Sequence, residues 1–170
     1  FNDPPQTWID PLPESVLIAV ERPGKGIEGK YKTMRGFEIP AYPLDDVFIR
    51  ANQRSDLTTI SCADGLNEVG MGKLPRGIIP KDERIQSTVP VDYLVVSGTA
   101  DWAAFGLIAT LSLMAGRDLL PGEDEQRFFL ETVVEAGAVD GITGRRELTV
   151  DTLPLETHIR KVEQLRGFIF

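Results

Sequence analysis

The chain has 170 residues, 42% of them hydrophobic and 26% charged, and a formal net charge of -8. That length can bury one substantial core, whereas the acidic balance argues against a nucleic-acid binder, which needs a basic face to displace phosphate counterions. No apolar run is long enough to cross a membrane as a helix, and one cysteine (Cys62) with one histidine (His158) excludes an internal disulfide and any multi-histidine metal site. A lone thiol suits a reducing compartment. Because the chain begins with Phe1 rather than Met, the lack of a visible targeting segment carries no weight.

Residues 1–14, rich in Pro and polar groups, read as an irregular lead-in. Ser15 to Val20 is a continuous apolar run bounded by turn residues, and reads as a buried strand. Pro43 to Arg54 places Leu44, Val47, Phe48 and Ala51 on one helical face, with Pro43 in the first turn. Leu57 to Cys62 is β-branched and reads as the second strand, Asp92 to Val96 as the third. The stretch 64–90 between them is long for a loop, so a short helix is expected near Asn67 to Leu74. A helix from Ala100 to Ala115 is apolar nearly all round and should be buried, with Gly116 as its C-terminal cap. Asp124 to Ala136 reads as an amphipathic helix capped by Asp124 and ended by Gly137, and the last helix spans about Leu155 to Gly167. Strands alternating with helices predict a single α/β domain over 1–170, with an open, mostly parallel sheet and helices on both faces.

In such sheets ligands bind outside the carboxyl ends of the strands. Three strands end in polar, glycine-containing segments: Glu21-Arg22-Pro23-Gly24, Asp64-Gly65-Leu66-Asn67-Glu68 and Ser97-Gly98-Thr99-Ala100-Asp101. Any one of these reads as an ordinary capped turn; three together favour a shared site. Arg22 and Arg35 are the anion-binding candidates, since a guanidinium matches a carboxylate with two parallel bonds, although on composition alone a surface ion pair explains either one. Gly70-Met71-Gly72 lacks the Lys-Ser/Thr ending of a phosphate loop. Cys62 reads as a buried inert thiol and His158 as structural or solvated. Asp64, Glu68, Asp101 and Asp140 offer hard oxygen ligands that would suit manganese or magnesium; their spacing is not diagnostic, so no tightly bound structural metal is expected and a loosely held Mn2+ or Mg2+ stays open.

The blocks AVERPG (19–24), MRG (34–36), DGLNEVGMGKL (64–74), VSGTADWAAFGL (96–107), EAGAVDGITGR (135–145) and VDTLPLETH (150–158) run in order over nearly the whole chain. Together they resemble the C-terminal domain of the D-glutamate cyclase family. Leu66 stands where the family pattern has a second glycine, and Asp101 where it tends to have asparagine before the Trp. The resemblance also implies an additional α/β unit before the first strand, so the domain reads as N-terminally truncated.

What the resemblance implies is a hydro-lyase that closes D-glutamate to 5-oxo-D-proline with loss of water. Asp64 and Glu68 would be the acid/base pair. Arg22 or Arg35 would clamp the α-carboxylate, with Glu21 beside them in the binding set. Asn67, Ser97 and Thr99 would bind the reacting carboxyl, and Asp101 would hold the ammonium. Two alternatives stay open: a hydro-lyase acting on another small carboxylic acid, and a non-catalytic domain that binds a small carboxylate or amino acid. Neither nucleic acid nor membrane is an expected partner. Cytoplasm and mitochondrial matrix both fit the thiol, and the sequence leaves the oligomeric state open.

Overall fold

The computed structural model describes residues 7–78 and 83–170. The start of the lead-in (1–6) and residues 79–82 of the long connection lie outside the described residues. The chain divides into two compact units, Phe1–Ala103 and Ala104–Phe170.

In the first unit, β1 (Ser15–Val20), β2 (Leu57–Ala63) and β3 (Tyr93–Val96) form a parallel sheet in the order β1-β2-β3. The register runs from Ser15 opposite Leu57 to Val20 opposite Cys62, and from Ile60 opposite Tyr93 to Ala63 opposite Val96. Helix α1 (Asp45–Ala51) connects β1 to β2. Its Val47, Phe48 and Ala51 pack with Ala19, Leu57, Val69, Val89, Val91 and Ile9 into one core. Ile9 therefore anchors the described part of the lead-in. With four α-helices and a parallel three-stranded sheet among the described residues, the chain has a small α/β fold.

In the first unit four expectations need correction. The strand β1 is not buried throughout: Val16, Ile18 and Val20 are exposed, because β1 lies at the sheet edge and only its alternate residues meet the core. Asp92 precedes β3 rather than starting it, since its Oδ2 accepts bonds from the Thr59 N–H (2.8 Å) and hydroxyl (2.9 Å). The region Asn67 to Leu74 forms only a single 3-10 turn, Met71–Lys73. Helix α1 is shorter than the periodicity suggests: Pro43 stands before it, its carbonyl accepting the Asp46 N–H.

Helix α2 (Ala100–Ala115) spans the boundary between the units. It is not buried all round, as Leu111, Leu113 and Met114 are exposed. Its buried face near the C-terminal end is carried by Ala109 and Ser112, and the Ser112 hydroxyl donates to the Ile108 carbonyl while accepting the Leu119 N–H. Apolar composition hid this, because Ser112 is the polar residue on the buried side.

In the second unit, α3 (Glu123–Glu135) begins one residue earlier than expected and is capped by Gly122, not Asp124. The Glu125 carboxylate reaches back to accept the Gly122 N–H, so the acidic run lies inside the first turn, where it opposes the helix dipole. A two-stranded ribbon of β4 (Thr149–Val150) and β5 (Leu153–Pro154) leads directly into α4 (Leu155–Ile169). Leu130 of α3 packs with Leu155 and Ile159 of α4, while Val162 packs with Ala109 and Leu120. His158 is buried, with Nε2 3.3 Å from the Val150 carbonyl oxygen. Among the described residues no helix is long and apolar enough to cross a membrane.

Candidate functional site

The carboxyl ends of the three parallel strands are followed by Glu21, by Asp64 and Glu68, and by Asp101, four of the acidic residues singled out by sequence. At the end of β1, the Glu21 N–H donates to the Cys62 carbonyl and extends the ladder by one bond. Glu21 then adopts a left-handed backbone, φ 52°, a conformation costly for a residue with a side chain. That turn sends residues 22–24 antiparallel to 67–69, with the Val69 N–H on the Arg22 carbonyl (2.8 Å) and the Gly24 N–H on the Asn67 carbonyl (2.9 Å).

At the end of β2, Glu68 folds back over its own loop. Its Oε2 accepts the Asp64 N–H at 3.0 Å and its Oε1 the Gly65 N–H at 3.2 Å. Gly65 permits this closeness: a Cβ there would stand 2.7 Å from Asn67 Oδ1 and 3.0 Å from Glu68 Oε1. Asp64 ties β2 to the next helix, because its Oδ2 accepts the Ala100 N–H at 2.8 Å, an N–H at the start of α2. A carboxylate oxygen of Glu21 lies within 4.8 Å of one of Asp64.

Three carboxyl groups are thus gathered with graded exposure: Glu68 buried, Asp64 half-buried, Glu21 exposed. Burial first, then the charges of Asp64 and Glu21, push the Glu68 carboxyl up to about 8, against the pull of its bond from the Asp64 N–H. Near neutral pH Glu68 therefore keeps its proton, as one of two neighbouring acids must when both cannot ionise cheaply.

The other sequence candidates are placed as follows. Asn67 donates from Nδ2 to the Lys32 carbonyl at 2.9 Å. Ser97 is half-buried and continues the β2–β3 ladder, its N–H on the Ala63 carbonyl. Thr99 is fully buried and its hydroxyl accepts the Trp102 N–H at 3.3 Å, which caps α2. Asp101 is partly buried in the first turn of that helix. Arg22 donates from Nη2 to the Tyr42 carbonyl. Arg35 is exposed at the turn of a small hairpin over residues 31–39, next to Met34, whose sulfur is one of the atoms a Cβ on Gly65 would meet. Leu66 is buried and its carbonyl accepts the Ser87 N–H.

Two further features bear on chemistry. Gly70 and Gly72 both direct their N–H groups to the Val89 carbonyl, so the glycine-rich turn is spent on packing. Asp140 is buried, and its two oxygens accept four bonds, from the N–H groups of Ile142, Thr143 and Thr152 and the Thr149 hydroxyl. Its carboxyl is held far below the usual range by those donors. Those four bonds already occupy the Asp140 oxygens within its own unit. Sequence reasoning missed the Ala100 N–H as a partner for Asp64; the strand-to-helix passage Ser97-Gly98-Thr99-Ala100 was the available signal, since the first N–H groups of any helix need acceptors.

A family model described as D-glutamate cyclase-like, C-terminal, matches residues 3–166. The mitochondrial D-glutamate cyclase of Homo sapiens is 25% identical over 178 residues, a match covering 88% of this chain and 29% of that relative. The chain thus spans less than a third of the length of the curated relative it matches.

Proposed function

The chain belongs to the D-glutamate cyclase-like, C-terminal family, and on that premise we propose that its carboxylate cluster serves the closure of D-glutamate to 5-oxo-D-proline with loss of water. The observation that carries this reading is the pairing of a buried, proton-retaining Glu68 with a half-buried Asp64 at one strand end. The reaction needs both a base and an acid. The substrate ammonium must lose a proton before its nitrogen attacks the γ-carboxyl carbon, and hydroxide must gain one to leave as water. One ammonium proton remains on the lactam nitrogen and two end in the water. The N–C bond forms as the C–O bond breaks, with no other reactant.

In this reading Asp64 takes one ammonium proton and Glu68 gives its own to the departing oxygen; the second ammonium proton passes to that oxygen, and the proton on Asp64 returns to Glu68 to restore the pair. Arg35, exposed beside Met34, clamps the α-carboxylate more readily than Arg22, whose Nη2 is engaged with the Tyr42 carbonyl. Asp101 and Glu21 receive the ammonium, and Ser97 contributes a donor to the reacting carboxyl. Asn67 and Thr99 support these groups from behind, since each is already bonded within the fold. Holding the substrate bent supplies several kcal/mol, on the order of what intramolecular orientation commonly gives. A mitochondrial matrix or cytoplasmic setting suits the buried Cys62 thiol, and the human relative is named as mitochondrial.

The test is product formation by the full-length protein from D-glutamate, with L-glutamate as control and manganese either added or chelated. The expected outcome is 5-oxo-D-proline from the D isomer, with Asp64→Asn and Glu68→Gln each lowering turnover by roughly 10²–10⁴-fold. Full turnover in both variants would remove the pair from the mechanism.

A further inference from the structure

The Asn67 side chain has one satisfied end and one unsatisfied end. Nδ2 donates to the Lys32 carbonyl, an acceptor only, so the amide cannot be turned round without setting two oxygens against each other. Oδ1 is then directed elsewhere, and it is buried with no hydrogen-bond partner among the described residues. An acceptor sealed from solvent must be satisfied from inside, because leaving it bare is costly. The Gly65 geometry shows what lies beside it. A single point, the position of an absent Cβ, is 2.7 Å from Asn67 Oδ1 and 3.0 Å from Glu68 Oε1. Both oxygens therefore border the Gly65 Cα, where two bare acceptors close to each other would repel. A proton on Oε1 turns the repulsion into a hydrogen bond.

We propose that Asn67 is the positioning residue for the Glu68 proton: Oε1–H of Glu68 donates to Asn67 Oδ1, leaving Oε2 to face Asp64. This assigns the proton to one oxygen and gives the buried amide its missing donor. Burial, the neighbouring carboxylates and a side-chain hydrogen bond with Asp64 all favour a neutral Glu68, and the bare Asn67 oxygen is what selects Oε1 for the proton. The ionisable groups acting on Glu68 are Asp64 and Glu21, both acidic; Lys32, on the adjoining hairpin, offers Asn67 its carbonyl and sends its ammonium to Glu28. The competing arrangement gives the proton to the Asp64 carboxylate and leaves Asn67 unsatisfied. The inference deepens the site assigned above and rests on that reading only for its catalytic consequence.

The experiment is a carbon-13 NMR titration of the Glu68 carboxyl in the full chain, which requires no turnover and so is decided separately from the cyclase reading. In Asn67→Ala the Glu68 midpoint should fall by about one unit or more, a tenfold loss of proton affinity. In Asn67→Asp, which supplies a charged acceptor, it should rise. In the unaltered protein the Asn67 side-chain carbonyl resonance should move with the same midpoint as Glu68, a readout that survives if a variant fails to fold. A Glu68 midpoint unchanged in a folded Asn67→Ala, or an Asn67 carbonyl insensitive to the Glu68 titration, would overturn the proposal in favour of Asp64 as sole acceptor.

Discussion

Glu68 shows how one residue can weaken the fold it serves. In the unfolded chain its carboxyl ionises near 4.5, whereas in the fold burial and two acidic neighbours raise that to about 8. Between those values the folded state binds more protons than the unfolded one, so this group's contribution to stability falls as pH rises from 4.5 and levels off above 8. Glu68→Gln keeps the shape and removes the titration, while losing one of the two N–H bonds that the carboxyl accepts. It should therefore gain stability over the unaltered chain by on the order of 2–4 kcal/mol at pH 9, and little at pH 4. Urea midpoints at pH 4, 7 and 9 check this; parallel curves for the two proteins would mean that Glu68 ionises normally. Gly65 matters for the opposite reason, since it makes the close grouping possible. Gly65→Ala forces a methyl to within 2.7 Å of Asn67 Oδ1 and should cost about 1–3 kcal/mol of thermal stability, together with most of the turnover.

The element that depends most on a single side chain is the ribbon of β4 and β5. Its two-residue turn, Asp151-Thr152, has both φ values positive (51° and 70°), an unfavourable conformation for a β-branched residue. Asp140 offsets that strain by accepting the Thr152 N–H and the Thr149 hydroxyl on one oxygen and closing its own turn with the other. Asp140→Ala leaves four donors without their acceptor and should cost about 2–4 kcal/mol, read as a lowered melting temperature. Because the folded carboxyl is held below its ordinary range, its contribution is present above pH 3.8 and is lost only as pH falls through the folded value. The sequence did not announce this ribbon, since Asp-Thr lacks the glycine that usually marks such a turn. The elements that could be read were those whose local pattern agrees with their tertiary setting: β1 and α2 have the expected limits, and α4 begins at the expected Leu155. At the site, the strand-end position and the acidic residue types were legible. The bonds from Asp64 to Ala100 and from Asn67 to Lys32 were not, because each joins residues more than thirty positions apart and follows from topology rather than from any motif.

For the molecule as a whole, charge and apolar surface act against each other. Val16, Ile18 and Val20 are 57%, 49% and 45% exposed, and they share one face of β1. The register carries that face across the sheet from Ile18 to Ile60 to Tyr93, and Tyr93 is 63% exposed. Parallel sheets are normally covered on both faces, and an apolar edge strand without a charged or proline residue favours pairing with other chains. The net charge of -8 opposes such association through mutual repulsion. Salt weakens only the second influence, as screening shortens from about 30 Å at 0.01 M to about 3 Å at 1 M ionic strength. The chain should accordingly remain dispersed at low salt and self-associate as salt rises, seen as an increasing sedimentation coefficient. Replacing Val16, Ile18 and Val20 by Thr keeps β-branched residues suited to a strand while making the face polar. That variant should stay dispersed at 1 M salt with its melting temperature nearly unchanged, because these side chains are already half in water. Association undiminished in the variant would move the adhesive surface elsewhere and leave the β1 face as passive exposure.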